Sequence, residues 1–216
     1  MGEPNRINYQ REMDKLIEKN KSLGLVPRLL LHSCCAPCSS YVIEYLSDYF
    51  EITVFYYNPN LYPDNEYEIR SAEQKRFIGE FKAKNPLSYI DVPFAPDEFY
   101  GRVKGLEKEK EGGKRCEKCF ELRLEKTAAL AREKGFDYFA TTLTISPLKN
   151  AALINEIGNR LEKEYGVKYL ASDFKKKNGF KRSTELSRQY NLYRQDYCGC
   201  VFSKQERTEK CGECAE

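Results

Sequence analysis

Two apolar periods alternate along this chain. In "NYQREMDKLIEKNKSL", Tyr9, Met13, Leu16 and Ile17 recur at the spacing of one helix face, and the stretch from Gly24 to Pro27 stops the pattern. This predicts an amphipathic leading helix within residues 1–24. "RLLLHS" is then an unbroken apolar run of strand length, and "SSYVIEYLSDYF", from Ser39, returns to helical spacing. "EITVFYYN" reads as a second strand ended by Asn58 and Pro59, "NEYEIRSAEQKRFIGEFKAKN" as a helix, and "LSYIDVPF" as a third strand. Such a rhythm of strand and helix is that of a parallel sheet covered by helices.

The charged segment from Pro96 to Arg115 reads as a helix end and a loop. Beyond it "CEKCFELRLEKTAALAREKG" is helical and "FDYFATTLT" is a strand. "PLKNAALINEIGNRLEKEYG" is helical again, with Pro147 near its start and Gly166 past its end, and "VKYLA" is a last strand. Residues 173–216 form a basic, cysteine-rich C-terminal extension, with a helix between Arg182 and Tyr193 followed by four cysteines in irregular chain. A single α/β domain over 1–216 is expected, since this length fills one core.

Charge adds little to this picture. Thirty-six Lys and Arg against 33 Asp and Glu give +3, too little to make the whole molecule a polyanion binder, although a local patch is compatible with it. The first residues carry no apolar signal region, and no stretch approaches the roughly 18 apolar residues of a membrane span. A cytoplasmic protein without membrane contact is therefore expected. In that reducing compartment nine cysteines point to metal or catalysis and away from disulfides.

The cysteines fall into four groups: Cys34, Cys35 and Cys38; Cys116 and Cys119; Cys198 and Cys200; Cys211 and Cys214. The first follows a strand and opens a helix, where ligands of open α/β sheets gather. Cys116 and Cys119 start a helix and share a face, and the helix N-terminus favours their thiolates. Three chemistries fit these spacings. Cys35 and Cys38 have the spacing of an exchanging dithiol. Cys198, Cys200, Cys211 and Cys214 suit a small structural zinc site, as in a zinc-stabilised RNA-binding module. The first three groups also supply seven thiolates, four for an iron–sulfur cluster and three for a second ion.

Other candidates are weaker. His32, the only histidine, reads as a satisfied core residue at a strand end. Asp64, Asp173 and Asp196 stand near motif boundaries as possible oxygen ligands or acids. "DFKKKNGFKR" concentrates Lys175, Lys176, Lys177, Lys181 and Arg182 around a turn, a candidate phosphate contact. Tyr56, Tyr57 and Tyr62 lie near the end of the second strand, where a ligand base would stack, while core packing explains at least some of them.

Taken together, "CCAPC", "NPNLYP", "RCEKCFELRLEKTA", "FDYFATTLTISPLKN", "DFKKKNG" and "LYRQDYCGC" resemble the cobalamin-independent epoxyqueuosine reductases over residues 29–203. The resemblance implies reduction of the epoxide of epoxyqueuosine in a tRNA anticodon to the alkene of queuosine. It also implies a three-layer parallel-sheet, nucleotide-hydrolase-like fold related to the ATP pyrophosphatases. Here "SCCAPCSS" takes the place of their phosphate loop; it has no glycine and carries thiols, which argues against ATP chemistry.

The cofactors implied are a [4Fe-4S] cluster and a second iron ion, with no flavin and no cobalamin, on Cys34, Cys35, Cys38, Cys116, Cys119, Cys198 and Cys200. Cys35, Cys38, Cys116 and Cys119 are expected on the cluster, and Cys34, Cys198 and Cys200 on the second, catalytic ion. Lys175, Lys176, Lys177, Lys181 and Arg182 are expected to hold tRNA phosphates. An external electron donor is required. Cys211 and Cys214 lie beyond the resemblance.

Overall fold

The computed structural model describes residues 7–213. Five strands, β1 (Arg28–His32), β2 (Glu51–Tyr56), β3 (Leu87–Asp91), β4 (Tyr138–Thr141) and β5 (Lys168–Tyr169), make one parallel sheet in the order β3-β2-β1-β4-β5. Around it pack α1 (Tyr9–Ser22), α2 (Ala36–Leu46), α3 (Asp64–Glu80), α4 (Pro96–Val103), α5 (Lys114–Glu133), α6 (Ala151–Tyr165), α7 (Gly179–Gln189) and α8 (Val201–Glu213). A 3₁₀ turn, Thr142–Ile145, follows β4.

The central strands are apolar throughout because both faces are covered. Successive side chains of β1 point to opposite faces. Leu29 and Leu31 join Met13, Ile17, Val42, Ile43, Phe77 and Leu186, the core under α1, α2, α3 and α7. Leu30 joins Phe99, Leu124, Phe139, Ile154 and Leu161 under α4, α5 and α6. The expected three-layer α/β arrangement therefore forms, wound in the 3-2-1-4-5 order of nucleotide-binding sheets. That order reverses direction between β1 and β4, which opens a crevice at their carboxyl ends.

Several boundaries differ from the sequence reading. The charged segment after Pro96 contains a complete helix, α4, whose apolar anchors Phe99 and Val103 are buried among its charges. Pro147 lies outside α6, which starts after Asn150; the Asn150 side chain accepts from the amides of Ala152 and Leu153 and so sets the N-terminus four residues later. Residues after Cys200 form helix α8 instead of irregular chain. The side chain of Cys211 and all of Cys214 lie outside the described residues, as does the zinc site expected from them. Among the described residues no helix is long and apolar enough to cross a membrane.

Helix α7 packs closely on α2. A Cβ at Gly179 would stand 1.9 Å from the carbonyl oxygen of Phe174 and 2.4 Å from the Tyr41 ring, so only glycine lets α7 begin there.

Candidate metal centre

At the end of β1 the His32 ring is fully buried. Its Nε2 lies 3.1 Å from the Tyr57 carbonyl, which can only accept, so Nε2 carries the proton and Nδ1 accepts from the Thr141 hydroxyl at 2.9 Å. Burial, aided by the charge of Arg123, lowers its pKa to about 3, and it stays neutral. His32 thus ties β1 to β2 and β4. Ser33 and Ser39 both donate to the Gln74 side-chain oxygen, at 2.6 and 2.9 Å, which fixes the turn between them.

The turn places Cys34 against the end of β4, where its amide reaches the Thr142 hydroxyl at 3.4 Å. Cys35 occupies the N-cap of α2, and Cys38 follows within the first turn. The three sulfurs lie within 4.8 Å of one another. Cys34 and Cys35 Sγ are 3.9 Å apart, too far for a bond, and all three are free thiols. Hydrogen bonds from Cys35 and Cys38 hold Cys34 well below the ordinary thiol range. The same contact with Cys34 pushes Cys35 up to about 12 and Cys38 upward too. One thiolate shared by two thiols is the resulting arrangement.

Cys116 and Cys119 lie on the first turns of α5, and the Gly112 amide donates to Cys116 Sγ at 3.2 Å. Burial raises both, Cys119 to about 12. Cys200 precedes α8, where the Ser203 amide donates to its sulfur at 3.4 Å, and burial raises its pKa. Between Cys198 and Cys200, Gly199 adopts φ +126°; a Cβ there would meet Leu61 at 2.6 Å and the Arg70 guanidinium at 3.1 Å. The "NPNLYP" loop holds this segment: the Tyr62 amide donates to the Gly199 carbonyl at 2.8 Å, and the Tyr197 hydroxyl donates back to the Tyr62 carbonyl. Charge on Cys198 and Cys200 acts on both Cys116 and Cys119. The seven sulfurs thus come from three segments at the N-termini of α2, α5 and α8, whose positive potential partly offsets the burial of the thiols.

Buried cations complete the centre. Arg123 is 2% exposed and, among the described residues, has no carboxylate partner. Its Nε reaches the Cys119 carbonyl, its Nη1 the Asn58 side chain at 3.5 Å, and its Nη2 has no hydrogen-bond partner in the protein. Desolvation opposes its charge, but Cys119, Cys198, Cys34 and Cys116 outweigh that and raise its pKa. Half-buried Lys149 is likewise raised, by Cys198, Cys34 and Cys38 against desolvation. Arg70, also 2% exposed, pairs with Glu66 at 2.7 Å and leaves Nη2 without a protein partner. A cavity of about 310 Å³ opens above, lined by Cys34, Cys38, Cys198, Lys149, Phe180 and Tyr197 among others.

This assembly of thiols matches a known family. The profile described as epoxyqueuosine reductase QueH matches residues 29–206. The chain belongs to the epoxyqueuosine reductase QueH family. Relatives bearing that name include one from Streptococcus pyogenes serotype M1, 47% identical over 92% of this chain and 78% of its own. A Staphylococcus epidermidis relative is 47% identical over 92% and 85% of the two chains. One from Staphylococcus aureus is 46% identical over 94% and 86%.

Not every residue singled out in this QueH-family sequence reaches the cavity. Tyr56 and Tyr57 are core residues, 0% and 4% exposed; Tyr57 stacks on Phe55 and donates to Glu98. Tyr62 is not among the residues lining the cavity, and Lys204 lies over its ring at 5.7 Å. Of the three aspartates only Asp196 lines the thiol cavity. In the basic loop Lys175 pairs with Asp173 (2.6 Å), Lys177 with Asp14 (2.7 Å) and Arg182 with Glu44 (2.7 Å). Lys176 and Lys181 are exposed and carry no ion pair among the described residues. Arg123 and Lys149 were not anticipated. Arg123 was legible in principle, since it shares a helix face with Cys116 and Cys119 at spacings of seven and four.

Proposed function

We propose that this chain reduces the epoxide of epoxyqueuosine in tRNA to queuosine in the cytoplasm, with a [4Fe-4S] cluster and an adjacent iron on its seven cysteines and with neither flavin nor cobalamin. The observation that carries this reading is that free thiols from three chain segments, Cys34, Cys116, Cys119 and Cys198, act on Arg123, a buried cation without a carboxylate partner among the described residues. With neutral thiols, Arg123 has no counter-charge. Thiolates on an iron–sulfur group bear net negative charge and give the guanidinium its missing partner, so the residues present fit such a group. A zinc-stabilised module without catalysis leaves Cys34, Cys35 and Cys38 without a task, and a dithiol exchanger on Cys35 and Cys38 leaves the other five idle.

The division of ligands follows the packing. Cys34 sits with Cys35 and Cys38, all within 4.8 Å, and shares the cavity wall with Cys198. Cys116, Cys119, Cys198 and Cys200 form a second set through mutual charge. We assign this set of four to the cluster and the set of three, of which Cys34 and Cys38 line the cavity, to the second iron, in place of the division expected from the sequence.

When bound, the iron centre supplies electrons for the breaking C–O bond and a Lewis acid for the oxygen. The reaction takes up two electrons and two protons and releases the epoxide oxygen as water; the electrons come from an external donor. The chain contributes the rest. Helix N-termini and Arg123 offer positive potential that would balance the thiolates once metal replaces their protons. Lys149 keeps its ammonium protonated on the cavity wall beside Cys34, Cys38 and Cys198, where a departing oxygen needs a proton. The test is anaerobic purification with iron–sulfur reconstitution, an absorption spectrum, an iron count and turnover of epoxyqueuosine-containing tRNA with dithionite as reductant. Broad brown absorption, iron beyond that of one cluster and conversion to queuosine are expected. A colourless zinc protein without turnover overturns the proposal.

A further inference from the structure

Leu148 is 81% exposed, more than any other large apolar side chain among those exposed in the described residues. It stands on the crest between two cavities that share Pro147, Leu148 and Lys149 in their walls. One is the thiol cavity. The other, about 590 Å³, contains no cysteine and is lined by Lys149, Lys175, Lys176, Asp173 and the first residues of α6. The crest is stiff: Pro147 fixes one φ, the Leu148 amide donates to the Ser146 hydroxyl at 3.3 Å, and the Lys149 amide donates to the Ser146 carbonyl at 3.2 Å. Asn150 then locks the start of α6. A large apolar side chain is thus held out into solvent on a rigid turn beside the opening to the reactive sulfurs.

We propose that Leu148 is a wedge that enters the RNA stack beside the target nucleotide, while the second cavity receives the phosphate of the neighbouring nucleotide. This rests on the reading of the substrate as epoxyqueuosine within tRNA. A base that must reach the sulfurs has to leave its stack, and the thiol cavity, at about 310 Å³, is at the small end of ligand cavities, so one base enters and not a stacked pair. An inserted aliphatic side chain offsets lost stacking by filling the gap. Charge complementarity supports the second half. Lys175 is neutralised by Asp173, which leaves the exposed Lys176 as the cavity-wall cation with no ion pair among the described residues, a setting suited to a phosphodiester. Leu148 acts here as a positioning residue that touches the neighbouring base.

The test uses the full chain and an anticodon stem–loop RNA with guanosine at the target position and 2-aminopurine 3′ to it, whose fluorescence rises when unstacked. Wild type should raise the signal on saturation. Leu148→Ala should remove most of that rise while binding weakens only slightly, and Leu148→Met should restore it. On epoxyqueuosine-containing tRNA, Leu148→Ala should lower kcat/KM roughly ten- to a hundredfold, the equivalent of unstacking one base unaided. Lys176→Gln should reduce the salt slope of binding by about 1 and leave the saturating signal unchanged. Binding with the same fluorescence rise in wild type and Leu148→Ala overturns the wedge. If the wild-type chain binds no RNA at low salt, the tRNA reading itself fails.

Discussion

Arg123→Met should act with different force on the metal-free and the metal-loaded protein. The guanidinium is 2% exposed and has no carboxylate partner among the described residues, so in the metal-free state its charge is offset by little beyond the low-pKa Cys34. Cys119, raised to about 12, and the raised Cys116 and Cys200 are protonated at neutral pH in the metal-free state. Replacing a buried ion with an apolar side chain of similar length gains about 1–4 kcal/mol. Methionine keeps the packing on Phe120 but strands the Asn58 side-chain oxygen, at about 1–3 kcal/mol. These nearly cancel, so metal-free stability should hardly change. With an anionic iron–sulfur group on the thiols, Arg123 is half of a buried charge pair, and breaking such a pair costs about 3–5 kcal/mol. For a chain of this length the gap corresponds to roughly 6–20 °C in Tm between the two forms. Thermal unfolding of chelated and anaerobically reconstituted protein, wild type and variant, measures it. Equal shifts in both forms would refute the claim that metal-bound thiolates are the counter-charge of Arg123.

Three further outcomes are expected. Cys119→Ser should lose most of the iron after reconstitution, whereas the double variant Cys211→Ser and Cys214→Ser should keep both iron and turnover; equal iron in the two would contradict the seven-thiol assignment. His32 has its folded pKa lowered from 6.5 to about 3, so the unfolded chain takes up a proton that the folded chain refuses. Its contribution is intact above pH 6.5 and is lost as pH falls toward 3, by up to about 5 kcal/mol; urea unfolding at pH 7 and pH 4 should show a smaller difference for His32→Gln than for wild type. Gly179→Ala forces a Cβ to 1.9 Å from the Phe174 carbonyl and should lower stability by about 1–3 kcal/mol, read as a fall in Tm with iron binding retained.

What the sequence disclosed follows from which signals are local. The parallel sheet was legible because "RLLLH" and "EITVFY" are apolar without alternation, the mark of strands covered on both faces. The placement of Cys34, Cys35 and Cys38 at a strand-to-helix turn came from the same periodicity. Boundaries set by side-chain capping were missed, as with Pro147, where Asn150 outcompetes proline's preference for the first helical turn. The stacking role expected of Tyr56 and Tyr57 failed because position along a strand does not show which residues the neighbouring helices cover. Nor could spacing show that the basic loop spends Lys175, Lys177 and Arg182 on Asp173, Asp14 and Glu44, partners up to 163 positions away.

The same sheet order that elsewhere presents backbone amides to a phosphate here presents sulfur, and the difference rests on a few residues of one turn. A phosphate cradle needs glycine and open N–H groups. In this chain the amide of Cys34 already faces the Thr142 hydroxyl, and that of Ser33 is bonded to the Phe55 carbonyl. Anion attraction at the switch point is kept, because three helix N-termini and Arg123 still aim positive potential there, but side-chain thiolates now supply the anion. Burial raises the pKa of Cys116, Cys119 and Cys200, so these thiols hold their protons until a metal takes their place, when that potential stabilises the thiolates. Binding of iron should therefore displace protons from the buried thiols and bring stability with it, so that loading and folding strength rise together.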